Sequence, residues 1–140
     1  MMLSEISEST EISQRSGPGI FGCPVDLAVL AGYESVQLEG EPDLVIELID
    51  LYLDEVPRRV QAMRDAVKFR NPAALASAAH SLRGSSGSLG AQQVAQICAE
   101  IEGLESVDLW SSIPPLLSWL ELECQRALHI FLEERRSRLR

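Results

Sequence analysis

From Val45 onward the apolar residues Ile49, Tyr52, Val56, Val60, Met63 and Val67 follow one another at steps of three or four. No other pattern in the chain restricts its fold so tightly. A stripe of this period runs along one face of a helix, over roughly seven turns, and leaves the opposite face polar. A helix of that length with a continuous apolar stripe has to meet other helices. Gly40 and Pro42 mark its start, because proline suits a first helical turn, and the spacing predicts a helix over about 42–69. Pro57 should bend it, having no N–H to give to the carbonyl of Leu53.

The remaining segments repeat the theme. Asp26 is placed to cap a short helix, "LAVLAGYE", since an aspartate oxygen accepts from the orphan amides of a first turn. In "FRNP", Asn71 caps and Pro72 opens the next helix, whose core side is Leu75, Ala78, Ala79 and Leu82, followed by Ser86 and Leu89. "SLGA" closes it and launches another, with Val94, Ile97, Cys98, Ile101 and Leu104 as its stripe. A last helix is expected from near Ser112, with Pro114 and Pro115 in its first turn. It runs through Leu117, Leu120, Cys124, Leu128 and Phe131 to an arginine-rich tail suited to a helix C-terminus. No stretch alternates as a strand does. Short connections between long amphipathic helices make antiparallel neighbours, so the expected fold is all-α: an antiparallel up-and-down four-helix bundle with a short extra N-terminal helix. Residues 1–22, rich in Ser, Glu, Gly and Pro, read as a flexible leader, and residues 23–140 as the folded domain.

Charge and cysteine usage narrow the function. A net charge of −9 and an isoelectric point near 4.6 repel nucleic acid and anionic lipid, which leaves another protein or a small molecule as partner. No apolar run is long enough to span a bilayer, and the N-terminus lacks the basic start and apolar core of a secretory signal, so a cytoplasmic protein is expected. Cys23, Cys98 and Cys124 are odd in number and far apart. That spacing suits neither a disulfide framework nor a zinc site, and Cys98 and Cys124 fall on apolar faces as buried free thiols.

One stretch breaks the economy of the rest. "AHSLRGSSGSLGA", Ala79 to Ala91, follows a histidine with glycines and serines that make poor helix. At about 100° per residue, His80 points some 140° from the buried direction of Leu75. It shares its face with Ala73, Ala76, Ser77, Gly84 and Gly87, where a solvent-exposed helix normally carries long polar side chains. A lone surface histidine beside a loosely composed helix end is the plain reading. The functional one is a face stripped so that another protein can approach the ring. The glycines do not form a phosphate loop: "GSSGSLGA" lacks the G-K-[ST] ending and follows a helix instead of a strand. Metal binding is disfavoured because His129 is the only other histidine, and an exposed lone histidine cannot supply a serine-hydrolase triad.

These residues resemble the signature of the histidine-containing phosphotransfer domain, H-x-[LI]-[KR]-G-[SA]-[SA]-x-x-[LVI]-G. Every position is met, from His80 through Leu82, Arg83, Gly84, Ser85 and Ser86 to Leu89 and Gly90. Asp26 before a short helix, "LIDLYLDEVP" and "ALASAAHSL" are also family-like, and the similarity covers roughly residues 24–105. The resemblance implies a phosphorelay carrier: His80 accepts a phosphoryl group from the aspartyl phosphate of a receiver domain and passes it to another receiver. Arg83 would offset phosphoryl charge, Gly84 would give clearance, and Ser85 and Ser86 would pack against neighbouring helices. No cofactor is implied on this chain, since magnesium belongs to the receiver, and no kinase or ATP-binding motif is present. The implied partners are receiver domains of hybrid histidine kinases and response regulators, met by a monomer. Docking would use Leu27, Leu30, Leu44, Leu48 and Leu51, each equally serviceable as core, with Ala76 and Gly87 beside the ring. Some relatives carry a glutamine 22 residues after the histidine that bonds the phosphate; Glu102 stands there and cannot donate when ionised, so the resemblance does not assign that contact here. The rival is a helical scaffold or inhibitor that binds a receiver or kinase without taking phosphate.

Overall fold

The structure is a computed structural model that describes residues 23–104 and 109–139; the leader expected over residues 1–22 lies outside the described residues. Five helices follow in order: α1 Leu27–Glu34, α2 Leu44–Lys68, α3 Pro72–Ser88, α4 Gln92–Glu102 and α5 Leu109–Arg138. The four longer ones form the bundle. Helix α3 packs between α2 and α4, and α5 closes the ring against both. The short α1 lies across one end, against α2.

Caps set most of these boundaries. The Asp26 carboxylate accepts from the amide of Ala28 and begins α1, and the Asn71 side chain accepts from Ala74 before Pro72 opens α3. Helix α2 starts two residues later than its composition suggests. Asp43, in extended conformation, accepts from Ile46 and is the N-cap, which leaves Pro42 in the preceding loop. That loop is wound around Gln37, whose side-chain amide donates to the carbonyls of Leu38, Glu41 and Pro42 and whose oxygen accepts from Leu44 N–H at 2.6 Å. Helix α2 runs through Pro57 and ends with Arg70 in the left-handed region (φ 53°), where Asn71 N–H reaches the Ala66 carbonyl at 2.8 Å.

Helix α5 also departs from expectation. It is helical from Leu109, so Pro114 and Pro115 fall in its second turn instead of its first. Leu109 and Ile113, one turn apart, are both buried, and this burial favours helix upstream of the prolines.

The core holds the stripes of all four long helices, with Tyr52 edge-on to Phe131 at 5.4 Å between ring centroids. Tyr52 Oη and Ser86 Oγ, both buried, share a hydrogen bond of 2.6 Å, so these two hydroxyls satisfy each other in the core. Two ion pairs tie α2 to α5, Arg64 to Glu121 and Arg135 to Asp50, each at 2.7 Å. Among the described residues no helix is long and apolar enough to cross a membrane.

Candidate functional site

His80 sits in the middle of α3, and its inner neighbours Leu75, Ala78, Ala79 and Leu82 are buried in the core. Their burial fixes the rotation of α3 and turns His80 outward, with 68% of its side chain exposed. Ala73, Ala76, Ser77, Gly84 and Gly87 are exposed around it, as the helical spacing requires. A Cβ added at Gly84 or at Gly87 would meet no atom within 4 Å. Neither glycine is forced by packing or by backbone conformation, so the space above them is open to an incoming surface.

One partner comes from α4. Glu102 Oε2 lies 2.9 Å from His80 Nδ1, and Glu102 Oε1 lies 3.0 Å from Arg83 Nη1. The Oε1 atom is buried and makes no hydrogen bond of good angle, so its contact with Arg83 is one of charge. An ionised carboxylate can only accept. The proton of a neutral His80 ring is therefore held on Nδ1, and the lone pair resides on Nε2, which has no hydrogen-bond partner among the described residues. The site thus presents an exposed imidazole whose Nδ1 faces a carboxylate of α4.

Glu102 thus joins the constellation through a contact that the sequence pattern did not assign. Its register of 22 residues after the histidine was the available signal, but the contact depends on how α3 and α4 cross. The electrostatics extend inward from it. Burial pushes the Cys98 thiol far above its ordinary value, with Cys124 and Glu102 adding to the rise and Arg83 opposing it.

The serines after the histidine take structural partners. Ser85 donates to Glu55 at 2.7 Å and Ser86 is fully buried on Tyr52. Of the leucines considered for docking, Leu27 and Leu51 are exposed, at 45% and 67%, and Leu44 and Leu48 are half-buried. Leu30 is not available: it is 1% exposed and belongs to the core, because it is the residue α1 uses to anchor itself. His129 is exposed on α5, away from His80 in the sequence and with no role in this constellation. Among the described residues no group of three or more His, Cys, Asp or Glu side chains is arranged to hold a metal ion.

The model of the Hpt domain matches residues 47–137, a span that contains the whole His80 constellation and begins inside α2. Histidine-containing phosphotransfer protein 5 of Arabidopsis thaliana is 35% identical over 69 residues, which cover 45% of this chain and 42% of that protein. The chain thus matches less than half the length of this curated relative. The crystal structure of histidine-containing phosphotransfer protein B from Pseudomonas aeruginosa superposes with a TM-score of 0.68 at 27% identity, over 81% of this chain and 96% of that one.

Proposed function

Because the chain belongs to the Hpt domain family, whose members are histidine phosphotransfer carriers of phosphorelays and not kinases, we propose that His80 is its phosphoacceptor, taking a phosphoryl group from one receiver domain and giving it to another. The observation that carries this reading is the exposed His80 ring, backed by Glu102 on Nδ1 and bordered by two glycines with empty space above them. A scaffold that only bound a receiver would have no use for a nucleophile presented in this way.

In this reading the Nε2 lone pair attacks the phosphorus of a receiver's aspartyl phosphate. The phosphorus–oxygen bond breaks, and its electron pair stays on the departing carboxylate. The phosphorylated ring keeps its Nδ1 proton against Glu102, so it leaves again as neutral imidazole when a second receiver aspartate attacks. Arg83 is beside the reacting face and answers the phosphoryl charge from this side. No metal or nucleotide is assigned to this chain; the receiver contributes the remaining charge stabilisation. Phosphoryl transfer asks chiefly for positioning and charge, and a bare helix face with one basic side chain suits that division of labour.

The test is incubation with a panel of receiver domains phosphorylated by acetyl phosphate. We expect acid-labile, base-stable label on the wild-type chain and none on His80→Gln. Label that survives in His80→Gln, or maps to His129, overturns the assignment; a wild-type chain that binds receivers but takes no label supports the scaffold reading.

A further inference from the structure

Helix α1 has only eight residues, too few to be stable alone, and of its side chains only Leu30 is fully buried. Three polar ties hold the segment in place. At its start, Asp26 N–H donates to the Gly90 carbonyl at 2.8 Å. Near its end, Tyr33 Oη donates to the Ser88 carbonyl at 2.8 Å. The third tie comes from the far end of the chain, where Arg138 donates to the carboxylate of Glu34, the last residue of α1.

Arg138 is unlike the other arginines of the tail. Its side chain is only 15% exposed, whereas that of Arg136 is 65% exposed. Its guanidinium also meets Asp43, the N-cap of α2, at 3.5 Å and Glu134, one turn back on α5, at 3.0 Å. A planar fork of five donors can serve three carboxylates at once. Without it, Glu34, Asp43 and Glu134 would gather with no cation between them, and like charges so grouped repel. Glu34, Asp43 and Arg138 all lie outside the residues 47–137 that match the family model.

The position of α1 matters to the site. Asp26 and Val29 form one wall of a groove whose other wall includes Arg83 and Gly87 of α3 and Gln92 and Gln96 of α4. Exposed Leu27 stands at the same end of α1. We propose that Arg138 latches α1 to the end of α5 and is thereby a positioning residue for receiver docking, holding the α1 wall of the groove beside Arg83.

The inference rests on the carrier reading for its docking half and on geometry alone for its latch half, and two variants with two readouts separate them. Arg138→Ala removes the latch, and Glu34→Gln removes only the charge on α1, leaving Arg138 with Asp43 and Glu134. In both, amide hydrogen exchange over Leu27–Glu34 should quicken by about fivefold or more while exchange in the core of α3 stays as in wild type. With the receiver domain that transfers fastest to the wild-type chain, the half-saturating concentration should rise about fivefold and the maximal transfer rate should hold within about twofold. Arg138→Lys, which keeps the charge but not the fork, should fall between. Unchanged exchange over α1 in both variants overturns the latch, with no receiver needed. Faster α1 exchange with an unchanged half-saturating concentration overturns the docking role. Failure of every receiver to label wild-type protein overturns the carrier reading and the docking role with it, while the exchange data still decide the latch.

Discussion

In the proposed reading three residues around His80 divide three tasks, and substitution separates them. Glu102 would act on the ring, Arg83 on the phosphoryl group and Gly84, by its bareness, on the approaching surface. Glu102→Ala leaves Nδ1 without its acceptor and Arg83 without its counter-charge, so the ring is free to rotate and to place its proton on Nε2. Phosphoryl acceptance should fall about tenfold or more, equal to some 1.4 kcal/mol of barrier, whereas Glu102→Gln, whose amide oxygen still accepts from Nδ1–H, should fall less. Equal loss in the two variants would mean that charge, not tautomer, is what Glu102 supplies. Arg83→Ala should shorten the phosphohistidine half-life with the circular dichroism unchanged, because the side chain is 45% exposed and its loss leaves no cavity. Gly84→Gln tests the bare face. A helix-interior glycine replaced where nothing lies within 4 Å should raise stability by up to about 1 kcal/mol, yet the new side chain stands where a receiver must come close. We expect an equal or higher melting temperature together with acceptance slowed at least about tenfold; a variant that transfers at the wild-type rate removes clearance as the reason for the glycine.

At the scale of elements, filling a second glycine six residues further on should do the reverse. Gly90 joins α3 to α4 at φ +85°, and a Cβ there would lie 2.6 Å from the Asp26 carbonyl oxygen and 3.1 Å from Val29 side-chain atoms. The chain at Gly90 accepts the Asp26 amide and so seats the start of α1. Gly90→Ala adds left-handed strain of roughly 1–2 kcal/mol to a clash with backbone that cannot swing away. We expect a loss of at least about 2 kcal/mol in urea unfolding, with α1 the first segment to lose protection from exchange; a loss below half that would show that the turn relaxes. The contrast between Gly84 and Gly90 also marks what could be read before any coordinates. Asp26 and Asn71 set the starts of α1 and α3 through bonds to residues two and three positions away, with Pro72 supplying a fixed φ, and such local chemistry is visible in a string of letters. The start of α2 turned on a choice between two adjacent signals, and Asp43 as cap prevailed over Pro42 as first-turn residue. Leu30 could not be assigned a side because "LAVLAGYE" is apolar nearly all round, so its pattern names no face. Glu102 met His80 through the crossing of two helices, which no local spacing encodes.

Taken whole, the bundle encloses two thiols and a phenol, and they make its stability depend on pH in a direction the fold dictates. Burial holds the Tyr52 phenol well above its ordinary value of 10.0, against a smaller lowering by the Ser86 hydrogen bond. Burial likewise raises the Cys98 thiol, and the Cys124 thiol is pushed up to about 12, with Glu121 and Glu123 adding to the rise. In the unfolded chain both thiols titrate near 9.0. Between that value and the folded one, the unfolded state sheds protons that the folded state keeps. Unfolding then binds fewer protons than folding, so stability falls as pH rises. The loss begins near pH 9 and, for Cys124, runs to about pH 12. Each such group contributes about 1.4 kcal/mol per pH unit once it is fully ionised in the unfolded chain. Against a domain stability of about 5–15 kcal/mol, two thiols and a phenol titrating in the same direction are a substantial loss, and the thiols' contribution is fully present only below their unfolded value of 9.0. The measurement is urea unfolding at half-unit steps from pH 7 to 11, on wild type and on Cys98→Ala/Cys124→Ala. The double variant should start lower, because two buried side chains have been trimmed, but its stability should decline less steeply above pH 9. Two curves that stay parallel through that range would show that the buried thiols are not what limits the bundle in base.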